Sequence, residues 1–416
     1  MSSKSVLAAP LELPNGQTLK NRFAKSAMSE ALGTLAGAPT PELTRLYQRW
    51  AQGGSGLVIT GNVMIDHLAL GEPGNVVIED EANMAGLKQW AEAGSADGTQ
   101  LWMQINHPGK QSPNALSKQP VAPSAIPLAP KLAKFFNAPR ALTEAEIEDL
   151  ISRYATVAKV AEAAGFTGAQ IHGAHGYLVS QFLSPLHNQR DDAWGGSAEK
   201  RIRFVLEVYR AMRAATGKDF AIGIKLNSAD FQRGGFTEEE SMDVAQALSE
   251  AGLDLLEISG GTYEQPQMTG VPQGDARAES TQKREAYFLD YATQVRKHVQ
   301  CPLMVTGGFR TASGMAESVD SGAVDVVGLA RALALEPDAP ARILAGEAYE
   351  SHVRPVQTGI KAIDNMGLME TLFYARQLKR LGNGQAPRPN ENPMMAFIRS
   401  MITMQLEGRK IRKLRA

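Results

Sequence analysis

The sequence predicts an α/β protein, a (β/α)8 TIM barrel with a helical C-terminal extension, and three observations carry that prediction. Eight short apolar runs alternate with amphipathic stretches, the pattern of βα units that feed a parallel sheet. No Gly-x-Gly-x-x-Gly turn follows the first run, which weakens the runner-up, a doubly wound dinucleotide-binding sheet. Long connections and titratable side chains follow the ends of the runs, the face where barrel enzymes keep their chemistry.

The predicted strands are Arg22–Met28, Gly56–Ile65, Leu101–Asn106, Ala169–His172, Phe220–Leu226, Leu253–Ser259, Leu303–Thr306 and Val324–Leu329. Helices between them carry start and stop signals. Thr143 and Glu146 form a capping box ahead of Ile147, Leu150, Tyr154, Val157 and Ala161 at helical spacing, and Gly165 stops that helix. Thr237 and Glu240 repeat the device, with Gly252 as the stop, and Ser197 caps a helix through Ile202, Val205, Tyr209 and Met212. The connections from His107 to Leu142 and from Gly260 to Arg284, the latter with Tyr263 and Arg277, are long enough to be lids or binding loops.

The chain has 416 residues, 43% hydrophobic and 21% charged, with a net charge of −1. That composition is ordinary for a globular enzyme and points to neither a nucleic-acid nor a membrane partner. One cysteine, Cys301, excludes an internal disulfide and a cysteine-built metal cluster. No apolar run is long enough for a signal peptide or a bilayer span, so a cytoplasmic location is expected. The expected division is a barrel over 1–350 and a helical extension over 351–416, with helices near Thr358–Leu381 and Pro393–Gly408. The last residues are strongly basic: Arg399, Arg409, Lys410, Arg412, Lys413 and Arg415. They read as a solvated face or as an arm packing on the barrel or on a neighbouring subunit, which would make a homo-oligomer.

Four constellations carry chemistry. Thr306-Gly307-Gly308-Phe309 and Gly328-Leu329-Ala330-Arg331 follow the last two strands, where barrels bind phosphate through backbone N–H groups and a helix N-terminus. Lys225 stands inside the apolar run Ala-Ile-Gly-Ile-Lys-Leu, a costly place without a partner. Gln104 lies on the third strand, where a satisfied core amide is the plain alternative. His172, His175 and Tyr177 end the fourth strand, and two imidazole donors can grip one oxygen. Satisfied core histidines, or a metal site with His107 as third ligand, are the competing readings of that pair.

The stretch from Gly168 to Gly196 resembles the Old Yellow Enzyme family of FMN-dependent ene-reductases. The matching features are His172-Gly-Ala-His175-Gly-Tyr177-Leu178, Phe182-Leu183-Ser184-Pro185 and Gly195-Gly196-Ser197. The likeness extends from about Leu11 to Pro337. It implies FMN, with NADH or NADPH as donor and an activated alkene (an enone, nitroalkene or maleimide) as substrate. It implies that the backbone of Ser26, Ala27 and Met28 floors the ring, with Ser29 at the position that tunes it, and that Gly61 and Asn62 approach it. Gln104 would bond the pyrimidine edge, Lys225 would stabilise the negative N1 side, and Gly307, Gly308, Ala330 and Arg331 would hold the phosphate. His172 and His175 would bind substrate oxygen, and Tyr177 would protonate the α-carbon. The alternatives are a different FMN barrel dehydrogenase, a metal-dependent barrel hydrolase or lyase, and a flavin-binding protein without turnover.

Overall fold

The structure, a computed structural model, describes residues 3–259, 287–364 and 369–414. Eight parallel strands close into a barrel: β1 Phe23–Lys25, β2 Leu57–Ile59, β3 Gln100–Asn106, β4 Gly168–Gly173, β5 Ala221–Asn227, β6 Leu255–Ser259, β7 Leu303–Thr306 and β8 Val326–Leu329. Each pairs with the next, and β8 pairs with β1 to complete the ring. All eight predicted strands are present, and those of the first, second, sixth and eighth runs are shorter than the apolar runs that announced them. The capping boxes at Thr143 and Thr237 are both formed, and Gly165 takes the left-handed cap at φ 97°.

Alternation along the strands sorts their side chains into two sets. Outward residues such as Val58, Met103, Ile105, Ile171, Ile222 and Ile224 join the helices in the main core. Inward residues build layers. The lowest is apolar: Ala24, Leu57, Trp102, Ala221, Leu255, Met304 and Val326. Trp102 fills the middle, and it leaves no room for side chains at two neighbours. A Cβ on Gly168 would lie 2.7 Å from its ring and one on Gly223 2.8 Å. A hairpin, Leu11–Glu12 paired with Thr18–Leu19, packs Leu13 and Leu19 beneath this layer and closes the N-terminal end. Gln17 fastens it by donating to the carbonyls of Thr167 and Asp219.

The extension packs on the barrel's own helices. Met369–Gly382 lies against Pro41–Gln52, where Arg45 donates to the Gly382 carbonyl at 2.8 Å. Pro393–Leu414 follows it, buries Ala396 and leaves Met395, Ile398, Met401, Ile402 and Leu406 exposed. Of the basic residues near the end, Arg399 is paired with Glu391 and the side chains from 407 onward lie outside the described residues. The predicted loop from Gly260 to Arg284 also lies outside them.

Candidate active site

Two residues above the apolar floor, the same inward positions turn polar. Ser26, Gln104, Gln170, Lys225, Glu257 and Thr306 occupy this second layer, and the strand register makes neighbours of Gln104 and Gln170 and of Lys225 and Glu257. Glu257 Oε1 accepts from Ser26 Oγ at 2.5 Å, Thr306 Oγ1 at 2.7 Å and Lys225 Nζ at 2.8 Å. Its Oε2 accepts from Gln170 Nε2 at 2.7 Å, and Gln170 Oε1 accepts from Gln104 Nε2 at 2.8 Å. Burial would push the Glu257 carboxyl up, but the Lys225 ammonium and these donors outweigh it and hold the group below its usual range. Lys225 thus has the partner that a buried cation requires.

A further step up the strands stand His172 on β4 and Ser259 on β6. His172 accepts the Ala174 N–H at Nδ1, 3.3 Å, which places its ring proton on Nε2. Burial, helped by Lys225, pulls its pKa down to about 3, so the ring is a neutral donor. His175 follows at φ 63°, a left-handed conformation that side chains rarely adopt. Three contacts hold it there. Its N–H donates to Asn227 Oδ1 at 3.2 Å, its carbonyl accepts from Gln111 at 3.0 Å, and its Nε2 lies 2.8 Å from Ser259 Oγ. The His172 ring is 5.1 Å from that of His175 and 4.8 Å from that of Tyr177, edge-on to both. Tyr177 then opens the short helix Leu178–Leu183.

The β1 and β2 ends meet on the other side. A Cβ on Gly61 would lie 2.2 Å from Glu30 Oε2 and 2.3 Å from the Met28 carbonyl, so glycine is required by the approach of these two chain ends. The Gly61 N–H donates to Tyr47 Oη at 2.8 Å and to Glu30 Oε1 at 3.0 Å. Behind it Lys25, facing outward, donates to the Ile59 carbonyl at 2.8 Å and lies 3.5 Å from Glu30, its pKa lowered to about 8 by burial. Ser29 Oγ donates to Asn62 Oδ1 at 3.0 Å; both are partly exposed, as are Ala27 and Met28.

After β7 the backbone passes through Gly307 at φ 108° and Gly308 at φ 86°. Space beside Gly307 is open, and neither N–H is hydrogen-bonded to another described residue. Two successive left-handed glycines leave adjacent N–H groups available to an acceptor. Arg331 starts the helix after β8 at Ala330, but its guanidinium is paired with Glu370 of the extension. The structure therefore brings Ser26, Gln104 and Lys225 into one layer and His172, His175 and Tyr177 into one cluster, and it ties Arg331 to a carboxylate. His107, the third candidate metal ligand, is buried and accepts the Gly109 N–H. Among the described residues, one trio of potential metal ligands converges, Asp66, His67 and Glu79, and it contains none of these histidines.

The sequence reading missed Gln170, Glu257 and Ser259, and it placed Thr306 only in the glycine turn, not against Glu257. Glu257 was legible by the argument applied to Lys225, a charge inside an apolar strand, here Leu-Leu-Glu-Ile-Ser.

A sealed barrel whose open end joins a double-glycine turn with available N–H groups, a buried cation, a pair of amides and a neutral imidazole defines a cofactor-bearing barrel oxidoreductase. The donor set fits FMN: N–H groups for a phosphate, an amide for the ring's pyrimidine edge and a cation for its negative side. Residues 6–350 match the NADH:flavin oxidoreductase / NADH oxidase family. The chain is 37% identical over 356 residues to the NADH-dependent flavin oxidoreductase iliE of Hypocrea jecorina (strain QM6a), covering 80% of this chain and 88% of that one. It is 34% identical over 339 residues to an NADH oxidase of Thermoanaerobacter brockii, covering 80% of this chain and 50% of that one. Among solved structures it resembles morphinone reductase, with a TM-score of 0.69 and 26% identity over 83% of this chain and 91% of the other. It resembles equally the old yellow enzyme homologue from Zymomonas mobilis, with a TM-score of 0.69 and 25% identity over 83% of this chain and 94% of the other. The chain belongs to the NADH:flavin oxidoreductase / NADH oxidase family, the Old Yellow Enzyme family, and is an FMN enzyme that draws electrons from NAD(P)H. No helix among the described residues is long and apolar enough to cross a membrane.

Proposed function

We propose that this enzyme reduces C=C bonds conjugated to a carbonyl or nitro group. The observation that carries the reading is the state of His172, a buried neutral ring with its proton on Nε2 and Tyr177 against its edge. FMN, when bound, accepts hydride from NAD(P)H and passes it to the β-carbon of the alkene. His172 Nε2–H donates to the substrate oxygen and polarises the double bond. With Ser259 Oγ donating to His175 Nε2, the second ring proton sits on Nδ1 and gives the same oxygen a second donor. Tyr177 Oη delivers the proton to the α-carbon. The nicotinamide donor uses the same histidine pair, so no separate dinucleotide fold is needed.

In this reading the backbone of Ser26, Ala27, Met28, Gly61 and Asn62 supports the ring, with Ser29 at its edge. Gln104 offers Oε1 and its second Nε2 hydrogen to the pyrimidine edge, and Lys225 stabilises negative charge there. The N–H groups of Gly307, Gly308 and Ala330 hold the phosphate. Arg331 has five donors and can keep Glu370 while contacting a phosphate oxygen. Residues 1–350 are the FMN-binding barrel and 351–416 a helical extension.

Anaerobic reduction by NADH and by NADPH, followed by mixing with enones, nitroalkenes and maleimides, tests the proposal. Rapid reoxidation by one of these classes is expected. A reduced enzyme that none of them reoxidises would overturn it.

A further inference from the structure

Glu257 is the most heavily bonded side chain in the barrel interior, and no step above uses it. Its side chain is fully buried, so it meets ligand and solvent only through other residues. Two consequences follow from its chemistry. A carboxylate at 2.8 Å turns the Lys225 cation into one half of a dipole, whose field weakens faster with distance than that of a bare charge. A carboxylate also only accepts. Gln170 must therefore present Nε2 to it, which leaves Gln170 Oε1 to accept from Gln104 Nε2. The orientation of the Gln104 amide is thus dictated two residues away, by an oxygen that cannot donate.

We propose that Glu257 is a positioning residue that sets the electron affinity of the bound FMN, by tempering Lys225 and by fixing the direction of the Gln170–Gln104 amide relay. The proposal rests on the reading that puts Lys225 beside the ring edge that becomes negative on reduction. An uncompensated cation there would favour the reduced ring. The ion pair keeps FMN a stronger hydride donor toward alkenes.

The test is the midpoint potential of the holoenzyme, with FMN affinity as a second readout. Glu257→Gln preserves shape but removes the charge and adds a donor facing Gln170. The potential should rise by at least a tenfold change in the reduced-to-oxidised equilibrium, about 30 mV for a two-electron couple. FMN affinity should change as well, because the two glutamines must turn over in sequence. Lys225→Met should lower the potential. Thr306→Val keeps the charge but removes one donor from Oε1, so it should lower the potential. Lys225→Met shifting the potential while Glu257→Gln leaves it unchanged would overturn the role of Glu257. A potential indifferent to Lys225→Met would instead overturn the placement of Lys225. Should Glu257→Gln fail to retain FMN, Thr306→Val decides: a potential that rises or stays put refutes the proposal.

Discussion

Acid should unfold this protein earlier and more steeply than an ordinary enzyme of its size, and the reason lies in its buried imidazoles. Burial lowers the pKa of His107 to about 4 and of His172 and His187 to about 3, and it carries His175 well below the usual 6.5. Each ring is neutral in the folded state and takes a proton when unfolded. The unfolded state therefore binds more protons from about 6.5 down to the folded values. Stability is fully present above that value and is lost as the pH falls toward 4. Between pH 7 and 5.5 one such histidine costs about 1.2 kcal/mol, so the four together cost about 5 kcal/mol. That is comparable to the whole stability of many domains. His187 isolates the effect, since it lies outside the proposed substrate cluster and its Nδ1 meets Lys110 Nζ at 2.9 Å. Urea unfolding of the FMN-saturated enzyme at several pH values measures the slope, and His187→Gln should remove about one proton's worth, near 1.4 kcal/mol per pH unit. A slope unchanged by His187→Gln would refute the reasoning.

Tyr177→Phe should leave reduction by NAD(P)H nearly intact and slow alkene-driven reoxidation by about 10²–10⁴-fold, as for loss of a positioned acid, least for nitroalkenes. Stopped-flow measurement of both half-reactions checks it, and equal slowing of the two would remove Tyr177 from the mechanism. Gly61→Ala must displace Glu30 or the Met28 carbonyl. It should cost about 3 kcal/mol and weaken FMN binding; an unshifted thermal midpoint would contradict this. His172→Ala should abolish the long-wavelength charge-transfer band that phenolates with electron-withdrawing substituents give with the oxidised enzyme, while FMN stays bound. Titration with such a phenol shows whether the band survives.

The barrel was legible because its strands are buried on both sides and read as continuous apolar runs, and because Thr143, Thr237 and Gly165 mark helix ends with local chemistry. The Gly307-Gly308 turn was legible for the same reason: its conformation is written in two glycines. What stayed hidden depends on which strand faces which. Gln170 becomes meaningful only beside Gln104, and Thr306 only when its hydroxyl reaches Glu257 on the neighbouring strand. Arg331 shows the limit from the other side. Nothing local reveals that Glu370, thirty-nine positions on, will occupy its guanidinium. The N-terminal hairpin is two residues per strand, too short for any periodicity, yet it closes one end of the molecule.

That closure has a kinetic meaning. With Leu13 and Leu19 stopping the base and Trp102 filling the middle, the barrel is a vessel with a single mouth. Whatever reaches the polar layer leaves by the way it came. On the proposed sharing of His172 and His175, nicotinamide and alkene must queue, and a surplus of either keeps the other waiting outside. On that proposal, inhibition by excess of each reactant against the other follows from the architecture, set by a stopper at the far end from the chemistry.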